Sequence, residues 1–218
     1  MKHDFIGSES SREVVPHHAR RPARFYHRIG KPVFDCSISL LLLPVFLFFC
    51  GTLLILNPFL NKGPLFFIQP RMGRNCKAFP AIKFRTMKSA ERITRSAEDP
   101  LEVDRITTLG SIIRKTRIDE LPQILNVLRG EMSLIGPRPD YFHHARRYVK
   151  TVRGYRQRHQ VRPGISGLAQ TELGYVNCSE GTQLKVQLDL RYVENLSFQM
   201  DVYVFRRTLE TVFGRKGC

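Results

Sequence analysis

One apolar run dominates the pattern of hydrophobic and polar positions. From Val33 to Leu56 the chain reads VFDCSISLLLLPVFLFFCGTLLIL, with Asp35 as its single charge. About 20 apolar residues suffice to cross a bilayer, so the run predicts a membrane-embedded helix rather than a buried core helix. Pro44 lies near its middle and Gly51 further on. A proline inside a helix removes a donor and clashes with the carbonyl four residues back, so a break is expected at Pro44.

The remaining elements are short. Leu65–Ile68 reads as a short strand or buried run, Arg71–Asn75 as a turn, and Phe79–Met87 as a loosely alternating strand. Ile82, Phe84 and Thr86 share one face of that strand, and the cations Lys83 and Arg85 share the other, a candidate anion-binding edge. Residues 88–105 are polar and predict a loop. Leu109, Ile112 and Ile113 start a turn or two of helix. Leu121, Ile124, Leu125 and Leu128 follow the spacing of one helix face, which Gly130 ends. Ser133–Gly136 is a short segment stopped by Pro137. Tyr141–Arg158 predicts a strongly basic amphipathic helix suited to phospholipid headgroups. Val161–Gly167 reads as a glycine-punctuated loop, and Thr182–Asn195 and Asp201–Phe213 as helices. The expected fold class is α+β: a mostly helical, membrane-associated cytosolic domain with a small strand element. The expected units are a flexible basic tail (1–24), a re-entrant helix-break-helix (25–60) and a cytosolic domain with amphipathic interfacial helices (61–218).

Charge decides the membrane geometry. Lys plus Arg number 35 against 19 acids, a net +16, which calls for an anionic partner. Arg20, Arg21, Arg24, Arg28 and Lys31 precede the apolar run. Lys62, Arg71, Arg74, Lys77, Lys83, Arg85 and Lys88 follow it, with no acid between Asn57 and Lys88. Basic flanks favour the cytoplasmic side, and here both ends favour it. A helix that enters, bends at Pro44 and returns satisfies both; an ordinary span with an outward tail is the competing reading. The five cysteines (Cys36, Cys50, Cys76, Cys178, Cys218) are scattered and form no C-x-x-C pair. They suit a reducing cytosolic face, and neither a disulfide framework nor a zinc site.

Candidate chemistry gathers at Asp119-Glu120, where two carboxylates open the helical pattern and Pro122 fits the first turn. As plain structure, the pair would cap the helix and favour its dipole. The surroundings suggest more: Arg114, Lys115 and Arg117 lie upstream, and Gly136-Pro137-Arg138-Pro139 carries a guanidinium on a rigid turn downstream. A carboxylate can attack phosphorus in a two-step displacement. Magnesium favours one or two carboxylates plus substrate phosphates, and Arg or Lys stabilises charge on a transferring phosphoryl group. The Val161–Gly167 loop, with Arg162, suits close approach of a phosphate. No Walker loop, G-x-S-x-G or H-E-x-x-H motif is present.

Several motifs in order carry a resemblance: KPVFD at Lys31–Asp35, the proline-broken run, IKFRTM at Ile82–Met87, DELPQILNVLRGEMSLIGPRP at Asp119–Pro139, VRPGISGLAQ at Val161–Gln170 and DLRYVENLSFQMDV at Asp189–Val202. From Lys31 onward the chain resembles the bacterial sugar transferases, monotopic polyprenyl-phosphate phosphoglycosyl transferases. The resemblance implies transfer of a sugar-1-phosphate from a UDP-sugar donor to undecaprenyl phosphate, releasing UMP through a covalent intermediate, as the first membrane step of exopolysaccharide or other surface glycan synthesis. It implies Asp119 as nucleophile, Glu120 as its partner in proton transfer or metal binding, and Mg2+ held by Asp119 and Glu120. It places Lys83, Arg85, Arg138, Arg162 and Asp189 around the substrate. It implies contact with membrane lipid, allows a homodimer, and places the protein at the bacterial inner membrane with its catalytic domain on the cytosolic face. Two departures accompany it. Relatives carry an Asn-Gly-Arg run where this chain reads Thr171-Glu172-Leu173-Gly174, so Arg191 or another cation would have to substitute. The long multi-span N-terminal portion of larger members is also absent, the pattern of the small catalytic-core form. Two other readings compete: a catalytically inert membrane adaptor of a glycan-assembly complex, and a nucleic-acid binder prompted by the charge. The basic membrane flanks account for much of that charge without nucleic acid.

Overall fold

The structure, a computed structural model, describes residues 25–88, 102–173 and 179–213. The 1–24 tail, most of the 88–105 loop, Gly174, Cys178 and Cys218 lie outside the described residues. The elements run α1 (Lys31–Leu60), β1 (Phe66–Met72), β2 (Ala78–Phe84), α2 (Thr108–Lys115), α3 (Gln123–Leu128), β3 (Ser133–Ile135), α4 (Phe142–Thr151), β4 (Gly164–Ser166), α5 (Leu168–Leu173), α6 (Ser179–Glu194) and α7 (Phe198–Phe213). This is the expected mostly helical α+β architecture. β1 and β2 form an antiparallel hairpin, with Phe67 opposite Lys83. β3 and β4 form a short parallel pair, Ser133 opposite Gly164.

α1 is long and apolar enough to cross a membrane. It is one 30-residue helix with Pro44 and Pro58 inside it. Its buried residues, Lys31, Asp35, Ser39, Phe46, Leu53 and Asn57, recur at offsets of four and seven. They form one stripe along the helix, and that stripe lies on the rest of the chain at both ends. At the start, Lys31 Nζ donates to Asp201 Oδ2 at 2.6 Å, and Tyr26 and Tyr192 hydroxyls reach the same carboxylate at 2.6 Å. Asp35 Oδ1 accepts the Leu134 N–H at 3.2 Å. At the end, Asn57 donates to the Gly63 carbonyl and Asn61 to the Arg85 carbonyl, each at 2.7 Å. Between them, the Phe46, Phe66 and Phe84 rings stack on one another at 5.6–6.4 Å. Leu40, Leu41, Val45, Leu47, Phe48, Leu54, Ile55, Phe59 and Leu60 remain exposed. A contiguous apolar surface of this kind marks contact with lipid or a partner rather than water.

Two expectations are corrected here, and one segment is added. The basic helix ends at Thr151 rather than Arg158, because Gly154 turns into left-handed backbone (φ +81°) and Tyr155, Arg158 and His159 fold into the interior. β1 extends through Arg71, which was expected in a turn; Arg71 pairs with Phe79. The Leu168–Leu173 segment, unassigned from sequence, is helical.

Candidate active site

The site is assembled at the start of α3. Arg117 adopts a left-handed conformation (φ +59°), uncommon for a residue with a side chain, and turns the chain into a 3-10 turn over Ile118–Glu120. Pro122 then precedes α3, which starts three residues after Glu120 and is shorter than the periodicity suggested. α3 is fastened to β2 by Asn126. Its carbonyl accepts the Ile82 N–H at 3.1 Å, and its amide donates to the Pro80 carbonyl at 2.8 Å and to Glu131 at 2.7 Å. This link brings Lys83 of β2 over the dyad.

The two carboxylates have opposite surroundings. Glu120 is buried, and Lys83 Nζ donates to its Oε1 at 2.6 Å. Arg138 grips both of its oxygens, Nη1 to Oε2 at 3.2 Å and Nη2 to Oε1. Burial alone would raise the Glu120 pKa; the charges of Arg138 and Lys83 and their hydrogen bonds outweigh it and hold the group well below the usual carboxylate range. Asp119 accepts no hydrogen bond from a described residue, and its nearest cation, Lys83, stands 4.0 Å away. Burial and the adjacent Glu120 charge raise its pKa, against the pull of Lys83, Arg114 and Arg138. Burial also lowers the pKa of Lys83, helped by Arg138 and Arg71 and opposed by Glu120. A cleft beside the dyad is lined by Arg71, Ala81, Lys83, Gln123, Arg138 and Pro139.

Arg138 owes its place to backbone packing. A Cβ on Gly164 would lie 2.1 Å from the Gly136 nitrogen, and one on Gly136 would lie 2.7 Å from the Arg162 carbonyl. The glycines of the Val161–Gly167 loop, expected to admit a phosphate, admit the Gly136 backbone instead. Gly136 and Gly164 let the two loops lie against each other and carry Arg138 to Glu120.

The sequence-predicted residues separate into groups. Asp119, Glu120, Lys83 and Arg138 come together. Arg85 does not join them: Nε donates to the Pro64 carbonyl at 2.7 Å, Nη1 to Met87 at 3.1 Å and Nη2 to Asn61. Its guanidinium holds the end of α1 to the end of β2. The Arg162 guanidinium lies toward the far end of α3, 4.0 Å from the position a Gly130 Cβ would take. Asp189 is buried 2.8 Å from Arg158 Nη2, on the inner side of the Arg138 turn. In the segment that departs from the family pattern, Glu172 accepts from the Tyr203 hydroxyl at 3.0 Å. Sequence reasoning missed Arg71, Asn126 and Arg158. A polar Asn126 inside an otherwise apolar helix pattern was the one available signal.

Among the described residues no cluster of three or more His, Cys, Asp or Glu side chains is placed to hold a metal. The donor set suits a cation that takes one carboxylate and completes its shell with substrate phosphate and water, as magnesium does. Asp119 fits that role. Glu120, its oxygens occupied by Lys83 and Arg138, does not in this arrangement.

A domain laid along an apolar helix, with one open carboxylate among converging cations, defines a class: membrane-docked proteins that handle anionic groups. The comparisons narrow it. The chain belongs to the bacterial sugar transferase family, which matches residues 26–215. It is 41% identical over 154 residues to the UDP-N-acetylgalactosamine-undecaprenyl-phosphate N-acetylgalactosaminephosphotransferase of Aeromonas hydrophila, covering 70% of this chain and 36% of that protein. It is 38% identical over 187 residues to the exopolysaccharide production protein PSS of Rhizobium leguminosarum bv. phaseoli, covering 81% and 90% respectively. To the UDP-glucose:undecaprenyl-phosphate glucose-1-phosphate transferase of Xanthomonas campestris pv. campestris it is 39% identical over 159 residues, 72% of this chain and 33% of that one.

Proposed function

We propose that the protein transfers a sugar-1-phosphate from a UDP-sugar to undecaprenyl phosphate, initiating an exopolysaccharide or other surface glycan. Asp119 carries the proposal: it is an open carboxylate beside a partner already neutralised by Lys83 and Arg138. Relatives named for N-acetylgalactosamine and for glucose transfer make UDP-hexoses and UDP-N-acetylhexosamines the first donors to try.

In the first step an Asp119 oxygen attacks the sugar-bearing phosphorus, the bond from that phosphorus to the bridging oxygen breaks, and UMP leaves with the oxygen. The enzyme then holds an aspartyl-phosphosugar. In the second step a phosphate oxygen of undecaprenyl phosphate attacks the same phosphorus and Asp119 leaves as carboxylate. Lys83 and Arg138, positioned by Glu120, and Arg71 on the cleft wall offset charge on the transferring group. Magnesium, held by Asp119 and the diphosphate, would supply further charge neutralisation. The raised Asp119 pKa sets the acid limb of activity, since the protonated group cannot attack.

The docked α1 stripe supports a helix whose two ends lie on the same, cytosolic, side of the bacterial inner membrane, with its greasy outer face in lipid. The acceptor's phosphate could then reach Asp119 without its chain leaving the bilayer.

The test is UMP release from a panel of UDP-sugars with undecaprenyl phosphate and magnesium. One donor should be turned over by the wild type and not by Asp119→Asn. With the donor alone, the intact protein should gain the mass of a sugar phosphate. Full transfer by Asp119→Asn would overturn the mechanism.

A further inference from the structure

Behind the cleft lies a set of charges that the mechanism above leaves unused. Asp140 accepts from the Tyr155 hydroxyl at 2.8 Å, Arg158 Nη1 at 2.6 Å and Lys185 Nζ at 2.6 Å. Arg158 Nη2 lies 2.8 Å from Asp189 Oδ2 and donates to the Arg138 carbonyl at 2.6 Å. The Arg158 and Asp189 side chains are 0% and 1% exposed. Two cations and two carboxylates balance, as burial requires. The network joins α6, which carries Lys185 and Asp189, to the Gly136–Asp140 turn.

Four successive carbonyls of that turn are held. Pro137 accepts from the Gly164 N–H at 3.0 Å, Arg138 from Arg158, Pro139 from Arg71 Nη1 at 3.0 Å, and Asp140 from the Met72 N–H at 3.0 Å. Only at Arg138 does the grip fall on the residue whose own side chain reaches Glu120. Arg158 therefore fixes, from the inside, the backbone of the residue that meets Glu120 on the outside.

We propose that Arg158, neutralised by Asp140 and Asp189, is a positioning residue that sets the Arg138 guanidinium on Glu120, and that Asp189 acts on the site through Arg158 rather than on substrate. The proposal rests on the transferase reading for its kinetic consequence but not for its structural one. Arg158→Lys keeps the charge between the two carboxylates, while one ammonium cannot serve three acceptors in three directions. Misplacing a catalytic contact by about an ångström costs on the order of 100-fold in rate. We expect Arg158→Lys to lower kcat/KM for UMP release by about 10- to 100-fold, mainly in kcat. The discriminating readout is coupling to Arg138, which a general loss of folded enzyme would not produce. The combined Arg158→Lys/Arg138→Lys variant should be no worse than Arg138→Lys alone, because both changes remove one contact.

Hydrogen exchange on the full-length protein supplies the arm that needs no substrate. The peptide spanning 133–142 should exchange faster in Arg158→Lys while peptides from α1 and β1 stay unchanged. If Arg158→Lys does not fold, Asp189→Asn, which leaves the Asp140 pair intact, takes its place with the same expectations. Wild-type kinetics with unchanged exchange would overturn the proposal, as would losses that add fully to those of Arg138→Lys. Faster exchange at 133–142 in a protein whose wild type releases no UMP would sustain the positioning role and sink the transferase reading instead.

Discussion

Replacing Glu120 with glutamine keeps the side chain's shape and removes its charge. In the native site that charge faces Lys83 at 2.6 Å and both terminal nitrogens of Arg138, with the Glu120 side chain 9% exposed. Breaking a buried ion pair by neutralising one member costs about 3–5 kcal/mol. Lys83 and Arg138 retain some access to water, which places the expected loss near the lower end, about 3 kcal/mol. For a chain of this size that corresponds to a fall of roughly 6–12 °C in unfolding temperature. The pH dependence carries a second signature. The folded Glu120 pKa is depressed, so its stabilisation is complete above the unfolded carboxylate value, about 4.3, and is lost as pH falls below it. Glu120→Gln should flatten the stability curve over that acid range. It should also leave Lys83, 4.0 Å from Asp119, without its closer partner and remove the like charge that raises the Asp119 pKa. Residual activity should then persist to lower pH than in the wild type, at a reduced rate. Thermal unfolding in lipid nanodiscs across pH, paired with UMP release, reads both effects. An unfolding temperature within about a degree of wild type, or an unchanged acid slope, would refute the assignment of Glu120 as the ion-paired partner.

Asp201→Asn should cost about 3–5 kcal/mol by leaving the buried Lys31 ammonium without its carboxylate, and Lys31→Met in the same chain should recover part of that loss in thermal unfolding. Asn126→Ala should destabilise by about 1–3 kcal/mol, since the buried Ile82 N–H loses its acceptor, and denaturant titration measures it. Arg85→Met should lower unfolding temperature through the unpaired carbonyls of Pro64, Met87 and Asn61, with the donor KM unchanged; a raised KM would return Arg85 to the substrate site.

Much of this protein was legible in its sequence where local pattern suffices. The Val33–Leu56 run, the two strand segments around Arg71–Asn75 and the final helix follow from hydropathy and alternation, though not the pairing of the strands. The dyad and Arg138 were found, with the cations needed to hold a carboxylate. What periodicity cannot report is which partner a side chain meets. By alternation Lys83 and Arg85 read as sharing one face of one strand. Yet Lys83 meets Glu120, while Arg85, just past the strand's end, caps the carbonyls at the end of α1. Arg158 read as one more surface cation on a basic helix, until Gly154 turned the chain inward. Lys31 and Asp201, 170 residues apart, could be joined only by the fold.

The long docking stripe of α1 gives the lipid a structural role. Phe46 and Leu53 pack against Phe84, Ile113 and Ile124, so the same helix that meets lipid on one side closes the protein's interior on the other. Deleting it would not release a free-standing enzyme but would uncap a core. Its start is fastened to α7 by Lys31 and Asp201, and its end to the end of β2 through Asn61 and Arg85. Phe84 and Ile124, which the helix covers, lie on the elements either side of Lys83 and Asp119, so a disturbance of the helix is expected to reach the spacing of the site.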